Sequence, residues 1–428
     1  MRPAVRWLSA TILALGLIAV TGLLVRQYQA VERDAQAARD ALAAGRPALA
    51  IAPLRRWLRA RPSSAEAHAL QVEVALAAGD FPVVKREFDR ARALGYPEPQ
   101  LERIRAIWWA RLGGFAESEP ILTRIWSESP KTDPAVDEAL ARIFLKTYRL
   151  KSAKVVIDRW IEDAPADGRP FLWLTEIDRR TEVDNPESWE RHYREALRRD
   201  PDLDAARHGL AESLRKVHRN EEADHEYTRY LARHPDDPVA LAGAGLNELE
   251  MGDLPEAARL LDRALALAPT HLSALKGRAQ VAMNNGDLPS ALRWLDQAVH
   301  ADPFDDEALH LRAPVRSRLG DTAGARADRA AFDRLKEDQK KLLQMREQLM
   351  NFPNDNDTRS KAAAWMFAHG REQDGLDWAM AILANNPDHV PTCRLLADYY
   401  GKRPDGAGLA NFYRLKATTK ASIPVSPR

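Results

Sequence analysis

The sequence predicts an all-α solenoid of about ten or eleven helix–turn–helix repeats behind one N-terminal transmembrane helix. Three observations carry that expectation. Pro201, Pro235, Pro269 and Pro303 stand 34 residues apart. Gly252, Gly286 and Gly320, each followed by aspartate, stand 17 residues after the last three of those prolines. Residues 7–25 (WLSATILALGLIAVTGLLV) hold no charge, and no later run matches them in length. A period that keeps several residue types in register marks stacked supersecondary units, each burying its apolar face against the next.

The N-terminal run comes first. Nineteen residues at about 1.5 Å each form a helix of roughly 28 Å, enough to cross a hydrocarbon core. A cleavable signal peptide would want a shorter apolar stretch and small residues before the cut, and Val20-Thr21-Gly22 meets that need poorly. Residues 1–27 are therefore expected to be an uncleaved anchor. Arg2 and Arg6 favour an inside N-terminus, although Arg26, Arg33 and Arg39 dilute the bias. The expected location is the inner or cytoplasmic membrane, single-pass, with the body on the periplasmic side.

Residues 28–203 are expected to be degenerate helical repeats. Pro62, Pro97, Pro130 and Pro165 continue the rhythm at 33 to 36 residues, and Gly45, Gly79 and Gly114 fall at the 17-residue offset. Residues 204–339 form four regular units. Proline ends the second helix of a pair. Glycine midway permits the left-handed turn that closes the first helix, and the following Asp can cap the second. Ala211, Gly245, Ala279 and Ala313 let paired helices approach closely, opposite Ala223, Ala257, Ala291 and Ala325. Leu241, Leu275 and Leu309 fill the space between. Residues 340–417 hold an extended helix and further repeats, with Pro353 and Pro387 again 34 apart. The step from Pro303 to Pro353 is 50, and the surplus, residues 335–350, lacks Gly and Pro. Either the second helix of that unit runs on or a helix protrudes towards a partner. Residues 418–428 read as a disordered tail.

Composition excludes several classes. Against 63 basic residues stand 62 acidic ones, for a net charge of +1. That balance lacks the cationic surplus a nucleic-acid-binding face requires. The single Cys393 excludes a disulfide framework and a cysteine zinc cluster. The chain has no phosphate loop and no G-x-S-x-G elbow. His225-Glu226 lacks the second histidine of a zinc protease, since Arg229 stands there. No catalytic residue, metal or cofactor is expected. The tryptophans Trp108, Trp109, Trp126, Trp160, Trp173 and Trp189 gather in the first half. They replace leucine between helices or line an aromatic groove for a peptide or glycan.

Units 238–271 and 272–305 carry Leu241, Gly245, Gly252, Ala257, Leu261, Ala264 and Pro269, then Leu275, Ala279, Gly286, Ala291, Leu295, Ala298 and Pro303. This pattern resembles the tetratricopeptide repeat, departing from it where Leu241 and Glu248 replace aromatics. The resemblance implies a right-handed superhelix whose first helices line a concave face. It also implies that the second, fifth, ninth and twelfth places of each unit meet a ligand. Those places hold His208, Glu212, Arg215, Leu246, Leu249, Lys276, Gln280, Glu307 and His310, with Val239 beside them. An apolar floor with mixed polar walls suits an extended peptide or a partner's helix. The function implied is a membrane-anchored, non-enzymatic scaffold that binds protein or peptide partners in cell-envelope assembly or export. The alternatives are an accessory or linker subunit of an envelope polysaccharide or secretion machine and, from another class, an enzyme with an unrecognised site.

Overall fold

The computed structural model describes residues 25–181 and 185–419. The predicted membrane span falls on residues 7–25, of which only Val25 is described; the remainder lies outside the described residues. No described helix is long and apolar enough to cross a membrane. Every regular element among the described residues is an α-helix.

The chain divides into two compact units. One runs to residue 112 and includes 117–136; the other comprises 113–116 and everything from 137 onward. The first contains α1 (residues 25–43), α2 (Pro47–Ala60), α3 (Ala65–Ala78), α4 (Phe81–Ala93), α5 (Glu98–Arg111) and most of α6 (Phe115–Glu128). Ala35, Ala38, Ala50, Leu54, Trp57 and Ala67 form its core, the alanines allowing the helices to close on Leu54 and Trp57. Arg39 grips Glu66 at 2.7 and 3.0 Å. Arg103 spans from Glu73 (2.9 Å) to both oxygens of Asp133 (2.5 and 2.8 Å). Burial pushes the Asp133 carboxyl up, but the Arg103 guanidinium outweighs it and holds the group below the usual range.

The second unit continues from most of α7 (Pro134–Lys146) through α8 (Leu150–Asp163), α9 (Arg169–Thr181), α10 (Pro186–Arg199), α11 (Asp204–Lys216) and α12 (Asn220–Leu231). The most regular stretch follows: α13 (Pro238–Met251), α14 (Leu254–Leu267), α15 (Leu272–Asn284), α16 (Leu288–Ala301), α17 (Asp306–Arg318) and α18 (Thr322–Asn351). The unit ends with α19 (Asn356–Ala368), α20 (Glu372–Asn385), α21 (Val390–Gly401) and α22 (Ala407–Thr419). Thus Thr418 and Thr419 end a helix, two residues into the segment expected to be tail; residues 420–428 lie outside the described part.

The turn chemistry is what the sequence dictates. Asp253, Asp287 and Asp321 each accept a backbone N–H three residues on, at 2.8–3.0 Å, satisfying donors that a helix start leaves open. Gly252, Gly286 and Gly320 take φ of 76–90° before them. In an earlier unit the left-handed residue is Gly113 and not Gly114. Tyr148 and His218 fill the same turn position in two other units, each at φ 58°. Gly245 lets α13 meet α14 closely, since a Cβ there would sit 2.8 Å from Leu261. Ala211, Ala223, Ala257, Ala279 and Ala291 are all fully buried, as close helix contact demands.

Two departures stand out. Where three of the four regular units place Leu241, Leu275 and Leu309, the first of the four and two units elsewhere place a polar residue that reaches back to the turn. His68 meets the Pro62 carbonyl at 3.0 Å, and Arg207 and Arg359 donate to the Pro201 and Pro353 carbonyls at 2.5 Å. Helix α18 is continuous for 30 residues, so the surplus residues extend it. Leu342 and Leu349 on that extension are buried, which seats its inner face against the second unit. Helix α17 runs through Pro314.

Candidate functional site

The predicted groove residues are occupied largely with one another. Tyr227 donates its hydroxyl to Glu212, and Arg215 links Glu212 (3.3 Å) to Glu250 of the next first helix (2.6 Å). Lys276 likewise bonds Asp305 (2.9 Å) and Glu307 (2.6 Å) across to α17. These ladders tie successive first helices together. Leu246 and Leu249 pack against a buried cluster that includes Leu241, Leu260 and Leu261, and Gln280 is half-buried. His208 and His310, both at the fifth place, face the second helix of their own unit. The His208 ring lies 5.2 Å from Tyr230, and the His310 ring lies 5.1 Å from Phe332.

An open space in the second unit lies earlier, between α7, α9 and the start of α11. A cavity of about 420 Å³ opens there. Its apolar walls are Leu145, Leu172, Trp173 and Leu203, and its charged rim is Glu138, Arg142, Lys146, Arg169, Glu176 and Arg180. Helix α9 turns Leu172, Trp173 and Glu176 to this side while burying Phe171, Thr175 and Ile177 on the other. The Arg142 guanidinium covers the Trp173 ring at 5.1 Å and also meets Glu138 at 3.2 Å. Arg180 pairs with Glu176, and Arg169 pairs with Asp167 at 2.6 Å. Trp160 and Trp189 by contrast are core residues. The clustering of tryptophans in this region was the available signal for the cavity, but it does not separate a wall residue from core residues. A second hollow of about 370 Å³ lies between α19 and α21, where Phe367 stacks on Tyr399 at 4.4 Å beside Glu372 and Arg403.

One edge of the first cavity is also where the second unit closes on itself. Lys146 donates to Asp374 at 3.1 Å and lies 3.4 Å from Asp377. Arg359 donates to the Thr147 carbonyl. The Tyr148 hydroxyl donates to the Arg180 carbonyl at 2.8 Å, its ring lies 5.6 Å from Trp378, and Arg346 of the α18 extension covers it at 5.9 Å. Burial pushes the Asp377 carboxyl up. For Asp374 burial acts the same way but Arg371 and Lys146 outweigh it, so that group lies below the usual carboxylate range. Cys393 is buried on α21, and burial pushes its thiol up, away from the thiolate a nucleophile needs. Among the described residues no group of three or more His, Cys, Asp or Glu side chains could hold a metal ion.

Paired helices in series, tied through their first helices and hollowed between them, define an α-helical repeat protein. A family profile for the tetratricopeptide repeat matches residues 36–83 and 242–306. No curated protein matches the chain. Among solved structures it is similar to PilW, a type IV pilus biogenesis factor, at 21% identity over 46% of this chain and 90% of that one, with a TM-score of 0.41. It is similar to PilF of Pseudomonas aeruginosa at 19% identity, over 46% and 91% of the two chains, with a TM-score of 0.40. The human IFIT1 dimer with PPP-AAAA shares 17% identity, over 84% of this chain and 91% of that one, with a TM-score of 0.41.

Proposed function

We propose that this protein is a non-enzymatic scaffold whose row of first helices holds a segment of a partner protein, with the Trp173 cavity as the central anchor point. The observation that carries this reading is the cavity itself. A half-exposed tryptophan under an arginine, between leucines and ringed by alternating charges, combines the apolar floor and polar rim of a peptide site. Tryptophan and arginine are the side chains that most often dominate such contacts. Tetratricopeptide repeats as a class bind proteins or peptides, and the uncharged run at residues 7–25 supports attachment to a membrane by one helix. With Arg2 and Arg6 ahead of that run, the body faces the extracytoplasmic side, which fits a part in envelope assembly or export.

The test places a photo-crosslinking amino acid at Leu172, beside the cavity, and at the exposed Arg293, in the full chain within native membranes. The Leu172 position should give a discrete protein adduct that Trp173→Ala abolishes, and the Arg293 position should give none. No adduct at Leu172, or equal adducts at both positions, overturns the reading. Protease accessibility before and after permeabilisation checks the orientation.

A further inference from the structure

Beside the cavity stands a cation that no described carboxylate of the second unit pairs with directly. Arg346, on the α18 extension, has no ion-pair partner among the described residues, and its buried Nε lacks a hydrogen-bond partner. Its guanidinium lies over the Tyr148 ring, and Tyr148 in turn bonds the carbonyl of Arg180, a cavity wall residue. The surrounding carboxylates are already engaged: Glu176 by Arg180, Asp374 by Arg371 and Lys146, and Asp377 by Lys146 and Gln373. Burial is what most disfavours the Arg346 charge; Tyr148 offsets part of it, the neighbouring Arg371 and Arg180 add to it, and Asp374 helps least. A half-buried charge with a buried, unpartnered Nε is costly unless an anion completes it. The extension that carries Arg346 is the stretch by which this unit exceeds the 34-residue repeat, so the charge is delivered here by an added element.

We propose that Arg346, with Arg180 and Arg371, receives a side-chain or terminal carboxylate of the partner segment held in the Trp173 cavity. This rests on the peptide-binding reading above and adds its chemistry: the segment presents an apolar residue to Trp173 and an acidic group to Arg346. A carboxylate suits the site because guanidinium groups offer paired N–H donors in a fork that matches its two oxygens.

The experiment measures binding of two short amide-capped fluorescent peptides to the full chain in detergent, one alternating leucine with glutamate and the other leucine with glutamine. The glutamate peptide should bind about tenfold more tightly, the worth of one charge-assisted contact. Arg346→Met should remove that advantage without lowering the thermal midpoint of the free protein, since it deletes a charge that no described carboxylate pairs with and keeps the stem. Glutamate and glutamine peptides bound equally by the parent, or a preference surviving Arg346→Met, overturns the carboxylate assignment and leaves the groove reading standing. Failure of both peptides to bind, or binding indifferent to Trp173→Ala, overturns the groove reading and this inference together.

Discussion

Tyr148 and His218 occupy the same backbone seat, yet replacement by glycine should move them in opposite directions. Both hold φ 58°, a left-handed conformation that costs a β-carbon residue about 1–2 kcal/mol. His218 gains little in return, with its side chain 82% exposed and 3.7 Å from Glu250. His218→Gly should therefore stabilise the protein by about 0.5–1 kcal/mol, after allowing for the greater freedom of glycine in the unfolded chain. Tyr148 is buried, with its ring among Trp378 and Arg346 and its hydroxyl on the Arg180 carbonyl. Tyr148→Gly removes that packing and should cost about 3–5 kcal/mol despite relieving the backbone. Urea denaturation of the two variants beside the parent decides it, and shifts of the same sign would contradict the account. Gly209 tests close approach by another route. A Cβ there would lie 2.2 Å from the Tyr193 ring, so Gly209→Ala should destabilise by about 1–3 kcal/mol although alanine is the better helix former.

At the scale of the helix pair, stability depends on how closely two helices approach. Ala257 and Ala291 are fully buried against the first helices of their own pairs, and Gly245 would clash with Leu261 if it carried a Cβ. Ala257→Arg or Ala291→Arg should destabilise by about 2–4 kcal/mol through overpacking and an unpaired charge. A melting temperature equal to the parent's for either variant would remove those alanines from the contact. The helix pairs were legible in the sequence because each turn is specified locally: a proline, a glycine and a capping aspartate act within a few residues of where they stand. Positions that obey a local rule with an unusual residue were not legible. Arg207 and Arg359 stand where leucine packs elsewhere, and sequence spacing cannot show that their guanidinium groups turn back to the Pro201 and Pro353 carbonyls. The groove positions suffered similarly. Spacing located Arg215, Lys276 and Glu307 on the first helices, but not that Lys276 and Glu307 pair with each other, nor that Glu250 and Asp305 engage the two cations.

In a simple stack of repeats each unit contacts only its neighbours, and the second unit of this chain departs from that rule. Lys146 and Asp374 are 228 residues apart, and Arg359 reaches the Thr147 carbonyl across 212. No periodicity in a sequence reports a contact between residues so distant, because the pairing depends on how far each repeat rotates upon the last. Its consequence is thermodynamic coupling between α7 and α20, and acid titration exposes it. Burial raises the Asp377 pKa in the folded protein, so the native state binds that proton more tightly than the unfolded chain does. Stability must then fall as pH rises from the unfolded value through the folded one. Asp374 has the opposite sign: its pKa is lowered, and its contribution is present above the unfolded value and lost as pH falls through the folded one. Asp377→Asn should accordingly raise the urea midpoint at neutral pH, with the gain shrinking in acid as the parent's carboxyl takes up its proton. The same substitution should slow amide exchange in α7 as well as α20, because the two helices share the contact through Lys146. A midpoint below the parent's at neutral pH would mean that attraction to Lys146 outweighs burial, and slower exchange confined to α20 would mean that the two ends of the unit are not coupled.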